Sequence, residues 1–333
     1  MDILTQAVLG AAVAQSVAKK TELRVATFIG LVAGILADAD VFISSNNDPL
    51  LMLEYHRHFT HSIFFIPIGA LLAAGLLWFF VRNHLSFKRL YVFSLAGFSL
   101  SGFIDTCTSY GTYLLWPLFD QRLSFNIISI VDPIFTIMLV VLIISAWFKW
   151  RPQLAQMALL IASLYLLTGL AQNYRAEQWA NRIIQQRQHI AEKVLVKPSF
   201  ANIFLWRIIY ITEDKIVADA VYLGLTPELY PGGSIKMLDV DKDLPNLAKE
   251  SVLYSDINRF KQLSSGYLAM SPVNDNVLGD MRYSMLPNSL NPIWGITINT
   301  DKPEQHASYG FYRENTAEVR NQFIQMLLGR EIH

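Results

Sequence analysis

The chain has 333 residues, of which 53% are hydrophobic and 16% charged, with a mean hydropathy of +0.31 and no net charge. A composition this apolar excludes an ordinary soluble enzyme and favours a membrane protein of about two domains. The balanced charge offers no basic surface for nucleic acid, and a single cysteine, Cys107, excludes an internal disulfide framework or a paired-cysteine metal site.

In chain order, hydrophobic runs extend over about Ile3 to Ala18, Leu23 to Ile43, Ile63 to Val81, Leu90 to Ile104, Ile130 to Phe148 and Leu154 to Ala171. They predict six spans, the first and fourth short for a bilayer core of ~30 Å. Met1-Asp2 lacks a basic leader, so no cleavable signal peptide is expected. Basic residues fall in alternate loops: Lys19, Lys20 and Arg24; Arg82, Lys88 and Arg89; Lys149 and Arg151. Positive loops stay in the cytoplasm, so the other loops, and everything after the sixth span, are expected outside.

After Ala171 the character changes. Tyr174 to Val196 reads as an amphipathic helix closed by Pro198, with Trp179, Ile183, Ile184 and Ile190 at helical spacing. Beyond it, β-branched and aromatic runs such as Ile203 to Ile211 and Lys215 to Tyr222 predict strands. Thr316 to Leu328 predicts a closing helix. Asp239, Asp241, Asp243 and Glu250 imitate a calcium loop, but Leu244 replaces the glycine that such a loop needs, so a solvated acidic turn is expected.

The chemistry gathers on the outer ends of the spans. Asp38 and Asp40 close the second run, followed by the polar Ser44-Ser45-Asn46-Asn47; His56-Arg57-His58-Phe59-Thr60-His61-Ser62 precedes the third; Asp105 ends the fourth in a hydroxyl-rich turn. Imidazole nitrogen and carboxylate oxygen suit a divalent metal, and ionisable groups beside spans usually mark a site. Arg57 suits a phosphate or carboxylate as a bidentate donor. Each element also has a plainer reading: a solvated helix end for the acids, an interfacial loop meeting headgroups for the histidines, a helix terminus for Asp105. Asp132-Pro133 is read as a helix cap and Cys107 as packing.

Taken in order, Asp2-Ile3-Leu4-Thr5, Gly34 to Val41, His56 to Ser62, Asp105 to Thr112, Trp116-Pro117 and Asp132-Pro133 resemble the YdjM-like family of inner-membrane metal-dependent hydrolases, one member of which is under LexA-linked regulation. The likeness runs to about Trp150. Two positions depart from the family pattern: Gln6 and Ser101 stand where histidines are usual.

What the resemblance and the residues together imply is an α-helical membrane domain over 1–172, an amphipathic linker helix over 173–197 and a soluble, strand-rich extracytoplasmic α/β domain over 198–333. The expected function is a metal-dependent hydrolase at the outer face of the bacterial inner membrane, acting on a phospholipid or other amphiphilic ester. Asp38, His56, His61 and Asp105 are the expected ligands of a zinc-like ion, Asp40 a general base or further ligand, and Arg57 the holder of a substrate oxygen. The alternative is a non-catalytic membrane protein whose polar cluster binds lipid headgroups or a protein partner.

Overall fold

The computed structural model describes residues 1–45 and 47–332; Asn46, one of the polar residues noted after Asp40 in the sequence, and His333 lie outside the described residues. The chain divides into two compact units. The first comprises Met1–Ile43, Tyr55–Ala171 and Phe200–Ile203, and the second Ser44–Glu54, Gln172–Ser199 and Phe204–His333.

The first unit is helical: α1 (Ile3–Ser16), α2 (Leu23–Leu36), the short α3 (Leu51–Tyr55, of which only Tyr55 belongs here), α4 (Ile66–Val81), α5 (Phe87–Phe98), α6 (Ser101–Thr106), α7 (Pro133–Lys149) and the start of α8 (Pro152–Gln186). Its interior combines large side chains such as Phe93, Phe98 and Phe135 with small residues where helices cross. A Cβ on Gly34 would meet the Gln6 carbonyl oxygen at 2.6 Å, and one on Gly10 would meet that of Gly30 at 2.4 Å, so α1 and α2 cross at backbone contact. Large residues lie on the outside: Leu72, Leu76, Phe79 and Phe80 on α4, Ile137, Val141 and Phe148 on α7, and Leu160, Leu164 and Leu167 on α8 are exposed, Phe79 by 72%. Crossings built on small residues, with large apolar side chains left outside, are the pattern of helices packed in lipid.

Among the described residues, two helices are long and apolar enough to cross a membrane, Lys20–Phe42 and Pro152–Gln186. A third span is formed if Leu51–His61 and Ile66–Val81, bent by 93° at their junction, count as one. The six expected spans are therefore represented by two or three at this length. Ile3–Ser16 and Pro133–Lys149 are shorter apolar helices, and the fourth run is divided into α5 and α6 at Ser99-Leu100.

The second unit takes up α8 from Gln172 onward. That helix continues to Gln186, so the helix expected over Tyr174 to Val196 ends there and its last residues, from Ala191, belong to β1 (Ala191–Pro198). An antiparallel sheet joins β1, β2 (Leu205–Thr212), β3 (Lys215–Leu223) and β4 (Pro227–Tyr230), with β5 (Ser234–Lys236) also on β3. Every residue of β2 is buried. Its Trp206, Ile208 and Tyr210 pack on Ala176, Ala180 and Ile183 of α8. Its Ile209 and Ile211 face Tyr267, Ala269 and Met281, on or beside a second antiparallel sheet of β6 (Leu268–Ser271), β7 (Asn274–Asp280), β8 (Trp294–Thr297) and β9 (Ser308–Phe311).

Two helices complete this unit's edges. The amphipathic α10 (Val252–Leu263) lays Leu253, Ile257 and Phe260 on Leu268, Leu278 and Ile296. The closing helix α11 (Ala317–Leu327) starts where Thr316 caps Val319. The acidic stretch after Leu238 is a turn and the short α9 (Val240–Asp243), capped by Asp239.

Candidate metal centre

The site belongs wholly to the first unit. Asp38 and Asp40 lie on the 3-10 turn Ala37–Phe42 that ends α2, and His61 lies on a second such turn, Phe59–His61, before α4. In a straight α-helix residues two apart do not share a face; the tighter turn after α2 lets both aspartates reach the same imidazole. Asp105 comes from α6, and its segment is pressed on the His61 backbone, since a Cβ on Gly102 would meet the His61 carbonyl oxygen at 2.0 Å. Only glycine permits that approach.

The three elements converge on His61. Its Nε2 lies 3.2 Å from Asp38 Oδ1 and 3.1 Å from Asp105 Oδ2. Its Nδ1 faces the other way, 3.3 Å from Asp40 Oδ2 and 3.0 Å from Thr60 Oγ1. Asp40 is occupied elsewhere too: its Oδ1 lies 2.9 Å from His56 Nδ1, and its Oδ2 accepts from the Arg57 backbone N–H at 2.8 Å and from Thr60 Oγ1 at 2.5 Å. Arg57 adopts the left-handed conformation, φ 62°, which a non-glycine residue holds only where its surroundings require it. Here the turn aims its N–H at Asp40.

The Arg57 side chain is fully committed inside the protein. Its Nε lies 3.2 Å from Asp105 Oδ2, one terminal nitrogen donates to the Met1 carbonyl at 3.0 Å and the other to Thr108 Oγ1 at 3.4 Å. The Met1 amino group pairs with Asp105 Oδ1. His58, by contrast, lies among aromatic rings, 4.3 Å from Tyr113 between centroids.

Two residue groups could hold a metal ion here: Asp38, His61 and Asp105, and Asp38, Asp40 and His56. The donors fit a divalent ion. His61 Nε2 is buried and makes no hydrogen bond although two carboxylate oxygens face it. In the tautomer that donates from Nδ1 to Asp40, Nε2 presents a lone pair to the two carboxylate oxygens, a contact that a cation between them converts into ligation. Three carboxylates also outnumber the one guanidinium and one amino group around them.

The sequence reading singled out Asp38, Asp40, His56, Arg57, His61 and Asp105, and the structure gathers them into a single network. It also brings in residues that spacing did not select. Gln6 donates from Nε2 to Asp105 Oδ2 at 2.9 Å and to Asp38 Oδ1 at 3.3 Å, while its buried Oε1 has no partner. Ser101 donates to the Gly34 carbonyl at 3.3 Å. Arg122 donates to the His56 carbonyl at 2.9 Å and stacks over Tyr110 at 4.6 Å, with Arg57 also within 5.3 Å of that ring. Nothing in the local sequence ties Arg122 to the site, because the His56 carbonyl that it binds is distant in the chain. Asp132 caps α7 by accepting from the Phe135 N–H and also takes a bond from Tyr165 at 2.7 Å.

A family model described as YdjM inner membrane protein matches residues 1–176, slightly more than half of the chain. The chain belongs to this family. Membership, with the apolar helices, supports a location in the inner membrane. Among curated proteins, the uncharacterized protein YfhP of Bacillus subtilis (strain 168) is 25% identical over 223 residues, which cover 66% of this chain and 63% of that protein. The match thus spans less than two thirds of the relative. No solved structure matches the chain.

Proposed function

We propose that this YdjM-family protein is a metal-dependent hydrolase acting at the outer face of the inner membrane on a phospholipid or another amphiphilic ester. The observation that carries the reading is the His61 imidazole, held by Asp40 on one nitrogen and facing Asp38 and Asp105 with the other. Asp38, His61 and Asp105 are the ligands in this account, with His56 joining through the Asp38 and Asp40 group. Gln6, standing where the family usually has histidine, offers an amide oxygen. The ion, zinc by the mixed nitrogen and oxygen donors, supplies Lewis acidity to a substrate oxygen.

The chain's own residues do the rest. Asp40 fixes the orientation and tautomer of both imidazoles, a positioning role that its four contacts favour over that of a general base. Arg57 neutralises Asp105 and ties it to Thr108, so it too is a positioning residue. Arg122, half-exposed beside His56, is the better placed guanidinium for a phosphate oxygen. Multiple passes, an outward-facing site and an extracytoplasmic second unit complete the proposal; the alternation of basic loops supports them. Membrane lipids are then both solvent and substrate source.

A second reading, a non-catalytic headgroup-binding protein, draws on Gln6, whose amide donates to both carboxylates where the family usually has a ligand type. Purified protein in mixed micelles, supplied with zinc or manganese and phospholipid, distinguishes the two. Turnover that His61→Ala abolishes while folding is retained supports the hydrolase. Lipid binding without turnover across phospholipid and other ester substrates contradicts it.

A further inference from the structure

Between the two halves of the candidate centre, Asp38-Ala39-Asp40 and His56 to His61, the chain leaves the first unit. Residues Ser44–Glu54 belong to the second unit, while Met1–Ile43 and the stretch from Tyr55 onward belong to the first. The excursion is anchored in two ways. Leu50 and Leu53 enter the core formed by Leu253, Ile257 and Phe260 of α10 with Leu268, Leu278 and Ile296. Leu50 is wholly buried.

Arg259 of α10 supplies the second anchor. Its two terminal nitrogens grip both oxygens of Asp48, at 3.0 and 2.9 Å, and its Nε donates to Glu54 Oε1 at 2.7 Å. The same guanidinium reaches Asp256 Oδ1 at 3.2 Å on its own helix. A fork of this kind fixes geometry as well as charge. Asp48 in turn accepts from the Leu50 N–H at 3.1 Å, so the turn that delivers the two leucines is locked from inside.

This anchoring is continuous with the candidate centre through the backbone. Glu54 and Tyr55 share the short helix α3 (Leu51–Tyr55), and the Tyr55 carbonyl accepts from the His58 N–H at 3.1 Å. Two residues beyond Tyr55 stands Arg57 in its left-handed turn, whose N–H meets Asp40. A strained turn persists only where flanking structure over-determines it, and here one flank is the Asp40 network and the other is the anchored segment.

We infer that Asp48–Glu54, fixed by Arg259, is a strap that holds His56 to His61 through the backbone in the conformation that the candidate centre needs. The inference rests on the metal reading above for its consequence, though not for its geometry. The residues involved act through the backbone and touch no reacting atom.

Hydrogen exchange by mass spectrometry and zinc titration on the full chain in detergent test it together. Arg259→Ala should accelerate exchange in Ser44–Glu54 and also in Tyr55 to His61 in metal-free protein, and should weaken zinc binding about tenfold, the scale of a lost ligand-orienting contact. Asp48→Asn should act in the same direction, with the double variant no worse than Arg259→Ala, because both remove one interaction. Arg259→Lys, which keeps the charge without the fork, should fall between. Asp219→Asn breaks the Arg187 pair elsewhere in the second unit and should change neither readout.

Acceleration that stops at Glu54 overturns the strap, as does an equal response to Asp219→Asn. If the wild-type chain takes up no zinc, the exchange result still decides: spread into Tyr55 to His61 supports the strap, and only the metal reading falls.

Discussion

Among the described residues, a histidine and two aspartates come within ligand distance of one another in each unit, and the two places are chemically different. In the first unit, Asp38, Asp105 and His61 meet with the imidazole Nε2 buried and unbonded. In the second unit, Asp48, Asp256 and His306 meet just as closely, yet Arg259 spans both aspartates, and Asp256 Oδ2 accepts from His306 Nδ1 and the Ala307 N–H at 2.9 Å each. There one guanidinium answers both acids, whereas in the first unit Arg57 and the Met1 amino group pair with Asp105 and Asp38 faces His61 and the Gln6 amide. Proximity of ligand types therefore does not make a metal centre; the hydrogen-bond accounting around them does.

The largest effect should come from the ligands themselves. Asp105→Asn, which keeps shape and removes charge, should weaken zinc binding by about 100-fold or more, whereas His306→Ala should leave zinc stoichiometry unchanged. Isothermal titration on both variants checks the contrast; equal losses would erase the distinction between the clusters. Gly102→Ala comes next. With its Cβ driven into the His61 carbonyl, overpacking should cost about 1–3 kcal/mol and displace the imidazole, visible as lower thermal stability together with weaker zinc binding.

Asp256→Asn probes the other side. Removing a buried acid that takes bonds from Arg259, His306 and Ala307 should destabilise the second unit by about 2 kcal/mol, with zinc stoichiometry at saturation unaltered. Denaturant melts followed by tryptophan fluorescence measure the loss.

Acid should loosen the same region. At Asp48, partial burial pushes the carboxyl pKa up, but the Arg259 bond and charge outweigh it and hold the pKa below the ordinary value. A carboxylate whose folded pKa is depressed adds stability above its unfolded pKa, and that stability is lost as pH falls through the folded value. Exchange in Ser44–Glu54, corrected for intrinsic rates, should therefore rise as pH drops below about 4, and Arg259→Ala should abolish that dependence. The smallest effect expected is from Gln6→His, which restores the family's usual residue and should tighten zinc binding only severalfold, since three ligands are already present.

Much of this was legible in the sequence because charge is rare in so apolar a chain. Asp38, Asp40, His56, His61 and Asp105 stand out for that reason alone, and their order carries the family likeness. The strand-rich second half was equally visible from its β-branched runs. What the sequence hid depends on long-range partners. Nothing local says that Leu50 and Leu53 enter the core of a unit whose other residues start at Gln172, or that Arg259 answers Asp48. Apolar runs also do not distinguish a spanning helix from a shorter bundle helix: α1 is rich in alanine and glycine because it packs at backbone contact on α2. The helix expected over Tyr174 to Val196 gave way after Gln186, where the β1 residues find partners in β2, Val196 opposite Ile208 among them.

The central claim is that Asp38, His61 and Asp105 lack, among the described residues, a guanidinium paired with both acids, as Arg259 is with Asp48 and Asp256. Elemental analysis of the detergent-purified chain tests it most directly, with the wild type beside His56→Ala/His61→Ala and His306→Ala at equal monodispersity. The account predicts near-stoichiometric zinc or manganese in the wild type and in His306→Ala, and none in the double variant. Metal absent from all three after reconstitution, or lost with His306→Ala and kept in the double variant, would contradict it.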